Sequence, residues 1–199
     1  WHSVSEMPEQ WQSRKEVLAL KERIIPTIRR EFARSQVWGL KDPRMCRMMP
    51  LWHSILEELE VDTYVAHIVR SPMELALSLR KRNGFGLDKS MLLWLRYVIE
   101  SERETRRYPR VFVTFEQLLG DWREAIRRIE DRWCFRFPRN AESVGDEVYR
   151  FLRPDLKHHH AKMETGANSD IGDLWVGRAY NAFLEAAENR DTNLPETMT

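Results

Sequence analysis

Cysteine is scarce, long apolar runs are absent and neither charge predominates, and each of these shortages excludes a class of protein. Two cysteines in 199 residues, Cys46 and Cys134, are too few for a disulfide framework or a four-ligand zinc site, so a reducing, cytoplasmic setting is expected. No stretch approaches the roughly 20 apolar residues that cross a bilayer, and no signal-peptide core is visible, so no membrane span is expected. Lys and Arg total 32 against 31 Asp and Glu, a formal charge of +1. That balance argues against a polybasic arm and hence against a nucleic-acid polymer as partner. Only 8 Gly and 9 Pro, beside 42% hydrophobic and 11% aromatic residues, exclude collagen-like and low-complexity chains and point to one globular domain with a real core.

What is present is an alternation of helical and strand-like segments. Leu18, Ile25, Ile28 and Phe32 form one stripe of a helix over about residues 8–34, with Pro26 expected to kink or split it. Gln36 to Leu40 reads as a short strand running into Lys41-Asp42-Pro43-Arg44, where Asp-Pro demands an extended or turning backbone. Met49 to Leu59 is helical in period, and Thr63 to Val69 is β-branched and poor in charge, as a buried parallel strand is. Ser71-Pro72-Met73-Glu74 is a helix start with Ser at N-cap, Pro at N1 and Glu at N3. That helix ends at Asn83-Gly84, and a longer one covers about 88–107. Arg110 to Phe115 reads as a third strand, Trp122 to Trp133 as a helix, 134–170 as irregular, and about 172–189 as a last helix. Strands alternating with helices of this length predict an α/β domain of three layers around a central parallel sheet.

Ligands of such sheets sit beyond the carboxyl ends of the strands. Two of those ends are cationic here: Lys41-Asp42-Pro43-Arg44 and Arg70-Ser71. A cation beside a helix N-terminus is an anion seat, because free N–H groups and the helix dipole add to its charge. Ser78, seven residues after Ser71, returns to nearly the same helix face, so Arg70 and Ser78 are candidates to hold one phosphate. The plainer reading is that Ser71 and Glu74 cap, Arg70 makes a surface pair and Ser78 is an ordinary helix serine. His158-His159-His160 suggests metal, yet consecutive residues of an extended segment cannot all face one ion, and no metal site is expected.

The run His67-Ile68-Val69-Arg70-Ser71-Pro72-Met73-Glu74-Leu75-Ala76-Leu77-Ser78-Leu79 resembles the signature of sulfotransferases that use 3′-phosphoadenosine 5′-phosphosulfate (PAPS), in their bacterial-type branch. Three further segments agree in order: Trp38 to Arg44 with Pro50 and Trp52, Leu93-Trp94 with Tyr97, and Val111 to Leu119. The likeness covers roughly residues 36–133. It implies a fold of the P-loop nucleotide-binding type, and Arg70 and Ser78 as ligands of the PAPS 3′-phosphate. Lys41 then lies beside the sulfuryl-transfer centre, with Arg44 in the same segment and Phe115 near the adenine where many relatives have Tyr. Asp42 is the nearest carboxylate to serve as base; its plainer role is a turn or an ion pair with Arg44.

That family carries its 5′-phosphosulfate on a Gly-rich turn after the first strand of the domain. Residues 1–35 contain no Gly, and such a cradle generally needs it. The expectation is therefore a domain whose first strand and phosphosulfate loop are missing from this chain. The implied reaction is transfer of a sulfuryl group to a hydroxyl or amine of a small-molecule, glycan or lipid acceptor. The alternative is a nucleotide-binding or interaction module derived from a sulfotransferase that has lost the reaction. A P-loop phosphotransferase is disfavoured because no Gly-x-x-x-x-Gly-Lys-Ser/Thr run occurs.

Overall fold

The computed structural model describes residues 3–152 and 171–189. A single 3-10 turn, Trp11–Ser13, leads into α1 (Lys15–Phe32), and α2 (Met45–Leu59) follows a polar loop. Then come β1 (Val65–Val69), α3 (Pro72–Asn83), α4 (Leu87–Thr105), β2 (Arg110–Thr114), α5 (Phe115–Gly120), α6 (Trp122–Trp133), α7 (Gly145–Phe151) and α8 (Ile171–Glu188). The described residues are thus mostly helical with one pair of parallel strands, an α/β arrangement in which α3 and α4 form the crossover. The triple histidine lies outside the described residues, as does about half of the segment expected to be irregular; α7 occupies part of the remainder.

The strand expected at Gln36–Leu40 does not form. Trp38 turns back and stacks on Phe32 at 4.9 Å, joining the cluster of Ile25, Ile28, Leu51 and Ile55 between α1 and α2. Val37 and Leu40 stay exposed. A single large ring half-buried against a helix thus satisfies this run without any ladder. Pro26 neither kinks α1 into two helices nor ends it. Its ring deprives the Glu22 carbonyl of a donor, but both residues are exposed, so water can fill that place.

The two strands differ in burial. All five residues of β2 are buried. Phe112 packs edge-on against Phe183 of α8 at 5.5 Å, and Val111 and Val113 face Ala125 and Ile129 of α6. On β1, His67 and Val69 point toward α4 and α8, while Ile68 remains 47% exposed on the other face. The period of two along β1 is therefore that of a strand covered on one side. In the parallel register Val69 lies opposite Thr114. The residues just beyond, Arg70 and Phe115, consequently emerge side by side.

The helix boundaries follow local chemistry. Ser71 caps α3 by accepting from the Glu74 N–H at 3.5 Å, with Pro72 at N1. Gly84 closes α3 at φ 70°, a left-handed conformation costly for other residues. Thr114 and Gln117 exchange hydrogen bonds as a full capping box. That box ends β2 at Thr114 and makes Phe115 the first residue of a helix, one residue earlier than the sequence pattern suggests. Among the described residues no helix is long and apolar enough to cross a membrane.

Candidate functional site

Arg70 leaves the carboxyl end of β1 with its backbone carbonyl held by the indole N–H of Trp94, which donates at 3.1 Å from α4. Its side chain is fixed from two directions. The Nε–H donates to Glu74 Oε2 at 3.1 Å, and the guanidinium carbon stands 4.9 Å over the centre of the Phe115 ring. The first contact is an i,i+4 pair across the start of α3; the second follows from the strand register. A guanidinium has five donors in a plane. Nε is committed to Glu74, and neither terminal nitrogen has a hydrogen-bond partner among the described residues. Glu74 therefore departs from the expected reciprocal cap: its carboxylate turns to Arg70 instead of back to the N-cap backbone.

Beside this pair lies Tyr180 of α8, packed edge-on against Trp94 at 6.0 Å. Its hydroxyl is pushed up to about 12, first by burial and then by the negative charges of Glu116 and Glu74. Tyr180 thus stays neutral and keeps its proton as a hydrogen-bond donor. Ser78 is half-buried two turns along α3 and makes no side-chain hydrogen bond among the described residues. The carboxyl edge of the strand pair accordingly gathers Arg70, Glu74, Phe115, Glu116 and Tyr180, with Ser78 on the adjoining helix.

The second cationic segment forms a self-contained turn. Arg44 donates to Asp42 three times: from its backbone N–H at 2.7 Å, from Nε at 2.9 Å and from Nη2 at 2.7 Å. These hydrogen bonds, those from the side chain foremost, hold the Asp42 carboxyl down to about 2. Lys41 is exposed with no side-chain hydrogen bond or ion pair among the described residues. This turn interacts electrostatically with α4, between Arg44 and Tyr97, one turn beyond Trp94. No hydrogen bond or ion pair among the described residues joins Lys41, Asp42 or Arg44 to Arg70.

Among the sequence candidates, then, Arg70 and Phe115 are in direct contact, Asp42 and Arg44 form a pair of their own, and Lys41 and Ser78 stand apart. Glu74 and Tyr180 are the additions. The spacing of Arg70 and Glu74 carried a signal, since four residues apart on a helix start is salt-bridge spacing. Tyr180 carried none, because its approach depends on how α8 docks. Among the described residues there is also no group of three or more His, Cys, Asp and Glu able to hold a metal. No known protein family, curated protein sequence or solved structure matches this chain.

Proposed function

We propose that the carboxyl edge of the strand pair seats the 3′-phosphate of PAPS, and that the chain serves sulfuryl transfer to an acceptor hydroxyl or amine. The observation that carries this reading is the guanidinium of Arg70: oriented on one edge and one face, with neither terminal nitrogen hydrogen-bonded among the described residues, beside the N-terminus of α3. Two parallel N–H donors match two oxygens of a phosphate, and the helix dipole adds to the attraction. Ser78 supplies a hydroxyl from the same helix. Helices against both faces of β2 favour the three-layer, P-loop-like arrangement for the domain as a whole.

PAPS supplies the sulfuryl group: a bond forms from the acceptor oxygen or nitrogen to sulfur as the bond from sulfur to the 5′-phosphate oxygen breaks, releasing adenosine 3′,5′-bisphosphate and the acceptor's proton. Such a transfer depends on positioning and on cations against the developing charge. Lys41, exposed and without an ion pair among the described residues, is suited to that electrostatic role, with Arg44 in the same turn. Asp42, held near 2, is a weak proton acceptor at neutral pH and suits the orientation of Arg44 better than base catalysis. That property also favours the second reading, a nucleotide-binding module without turnover.

Arg70→Ala is expected to weaken the binding of adenosine 3′,5′-bisphosphate by about 1.5–3 kcal/mol, the usual loss for a hydrogen bond to a charged group. Titration calorimetry measures it; an unchanged affinity overturns the assignment of the seat. Transfer of radiolabelled sulfate from PAPS to sugar, lipid and phenol acceptors separates the two readings, since the module predicts binding with no labelled product.

A further inference from the structure

The two contacts that hold Arg70 have a chemical consequence of their own. An arginine side chain has four rotatable bonds, and freezing it costs rotamer entropy. In Arg70 that cost is met before any ligand arrives. Glu74 occupies Nε, Phe115 lies under the plane, and the remaining hydrogen-bonding edge is the one made by the two terminal nitrogens. Glu74 is itself held: its side chain is only 12% exposed and its own N–H is capped by Ser71. A buried carboxylate that touches the arginine through a single nitrogen orients the fork without closing it.

We infer that Glu74 is a positioning residue for the anion site, aiming the terminal edge of Arg70 at the 3′-phosphate, and that its acceptor oxygen rather than its negative charge does this. The inference rests on the proposed seating of the 3′-phosphate at Arg70. Its opposite is a Glu74 that acts as a resident counter-ion and competes with the incoming phosphate. The two are separated by a pair of neutral substitutions of similar size. Glu74→Gln keeps a carbonyl oxygen able to accept from Nε; Glu74→Met does not. Because both remove the charge, a difference between them reports the acceptor alone.

The test is titration calorimetry on the 199-residue chain, its Glu74→Gln, Glu74→Met and Arg70→Ala variants, with adenosine 3′,5′-bisphosphate and with adenosine 5′-monophosphate, which lacks the 3′-phosphate. The expected result is that Glu74→Gln binds the bisphosphate 5- to 20-fold more tightly than Glu74→Met, less than the full worth of one charge-assisted bond because Glu74 acts on the phosphate only through Arg70, while the monophosphate does not distinguish them. Equal affinities of the two variants, or both binding more tightly than the parent, overturn the positioning role while leaving the seat intact if Arg70→Ala still weakens binding. No effect of Arg70→Ala overturns the seat and the positioning role together. If Glu74→Met fails to fold, Glu74→Asp is the second probe. It keeps the charge at the start of α3 and draws the acceptor oxygen back from Arg70 Nε, and is expected to weaken the bisphosphate severalfold and the monophosphate not at all; parental affinity for the bisphosphate, or equal effects on both ligands, also overturns the proposal.

Discussion

Replacing Glu100 by Ala should lower the stability of the fold by about 3–5 kcal/mol, the loss seen when one partner of a buried ion pair is removed. Glu100 is 4% exposed on α4, and its carboxylate lies between two arginines, 2.7 Å from Arg96 and 3.2 Å from Nε of Arg47. Arg47 is 8% exposed on α2 and also donates to the carbonyls of Ser3 and Ser5, so one side chain ties the N-terminal segment, α2 and α4 together. The approach of Arg47 Nε to Glu100 Oε2 is not aligned as a hydrogen bond, and neither atom has a hydrogen-bond partner among the described residues. The attraction there is Coulombic, in a place that water does not reach. Without the carboxylate, the Arg47 guanidinium remains buried with its charge uncompensated, whereas Arg96 is more exposed and keeps Glu6. Urea denaturation of the variant measures the loss. A change under about 1 kcal/mol would mean that the interior relaxes or admits water far more easily than this packing implies.

Acid should weaken the protein through His67, by about 3 kcal/mol between pH 7 and pH 4. The ring is buried on β1, stacked on Phe112 at 4.7 Å, and bonded at both nitrogens: Nε2 to Thr105 Oγ1 at 2.9 Å and Nδ1 to Ser101 Oγ at 3.1 Å. Thr105 spends its own hydroxyl proton on the Ser101 carbonyl at 2.7 Å. It must therefore accept from Nε2–H, which leaves Nδ1 to accept from Ser101, and the ring is neutral. Burial, and after it the positive charge of Arg110, push the imidazole down to about 4 from an ordinary 6.5. Above 6.5 neither the folded nor the unfolded chain holds a proton there, and stability is unaffected. Below 6.5 the unfolded chain takes up a proton that the folded one refuses, so stability falls until the folded ring protonates near 4. The interval of about 2.5 pH units corresponds to roughly 3 kcal/mol at 1.36 kcal/mol per unit. A His67→Gln variant should show a shallower decline over this range; parallel declines would exclude His67 as the cause.

The parts of the fold that could be read from the sequence are those decided by neighbouring residues. The cap at Ser71, the glycine stop at Gly84 and the stripe of Trp122, Ile126, Ile129 and Trp133 are all local. The departures have two sources, a distant partner at Trp38 and a local cap at Phe115. Val37-Trp38-Gly39-Leu40 has strand-like composition, yet Trp38 has Phe32 to stack on and pairs with no strand among the described residues. Phe115 continues an apolar run, yet the Thr114–Gln117 box converts it into a helix residue. The same division holds at the site. Arg70 was legible as a cation at a strand end, whereas Glu74 read as the N3 member of a cap and pairs with Arg70 instead. Its contact with Phe115 needed the parallel register, and Tyr180 needed the docking of α8 on the core of Val69, Phe112 and Phe183.

The central claim is that the carboxyl edge of the strand pair binds a nucleotide phosphate through Arg70. Amide chemical shifts recorded while the chain is titrated with adenosine 3′,5′-bisphosphate test it most directly. The account predicts saturable shifts concentrated on Arg70–Leu79 and Phe115–Gln117, all lost in Arg70→Ala. Shifts confined to the opposite edge, around Thr63–Val65 and Tyr108–Arg110, or no saturable shift at millimolar nucleotide, would contradict it.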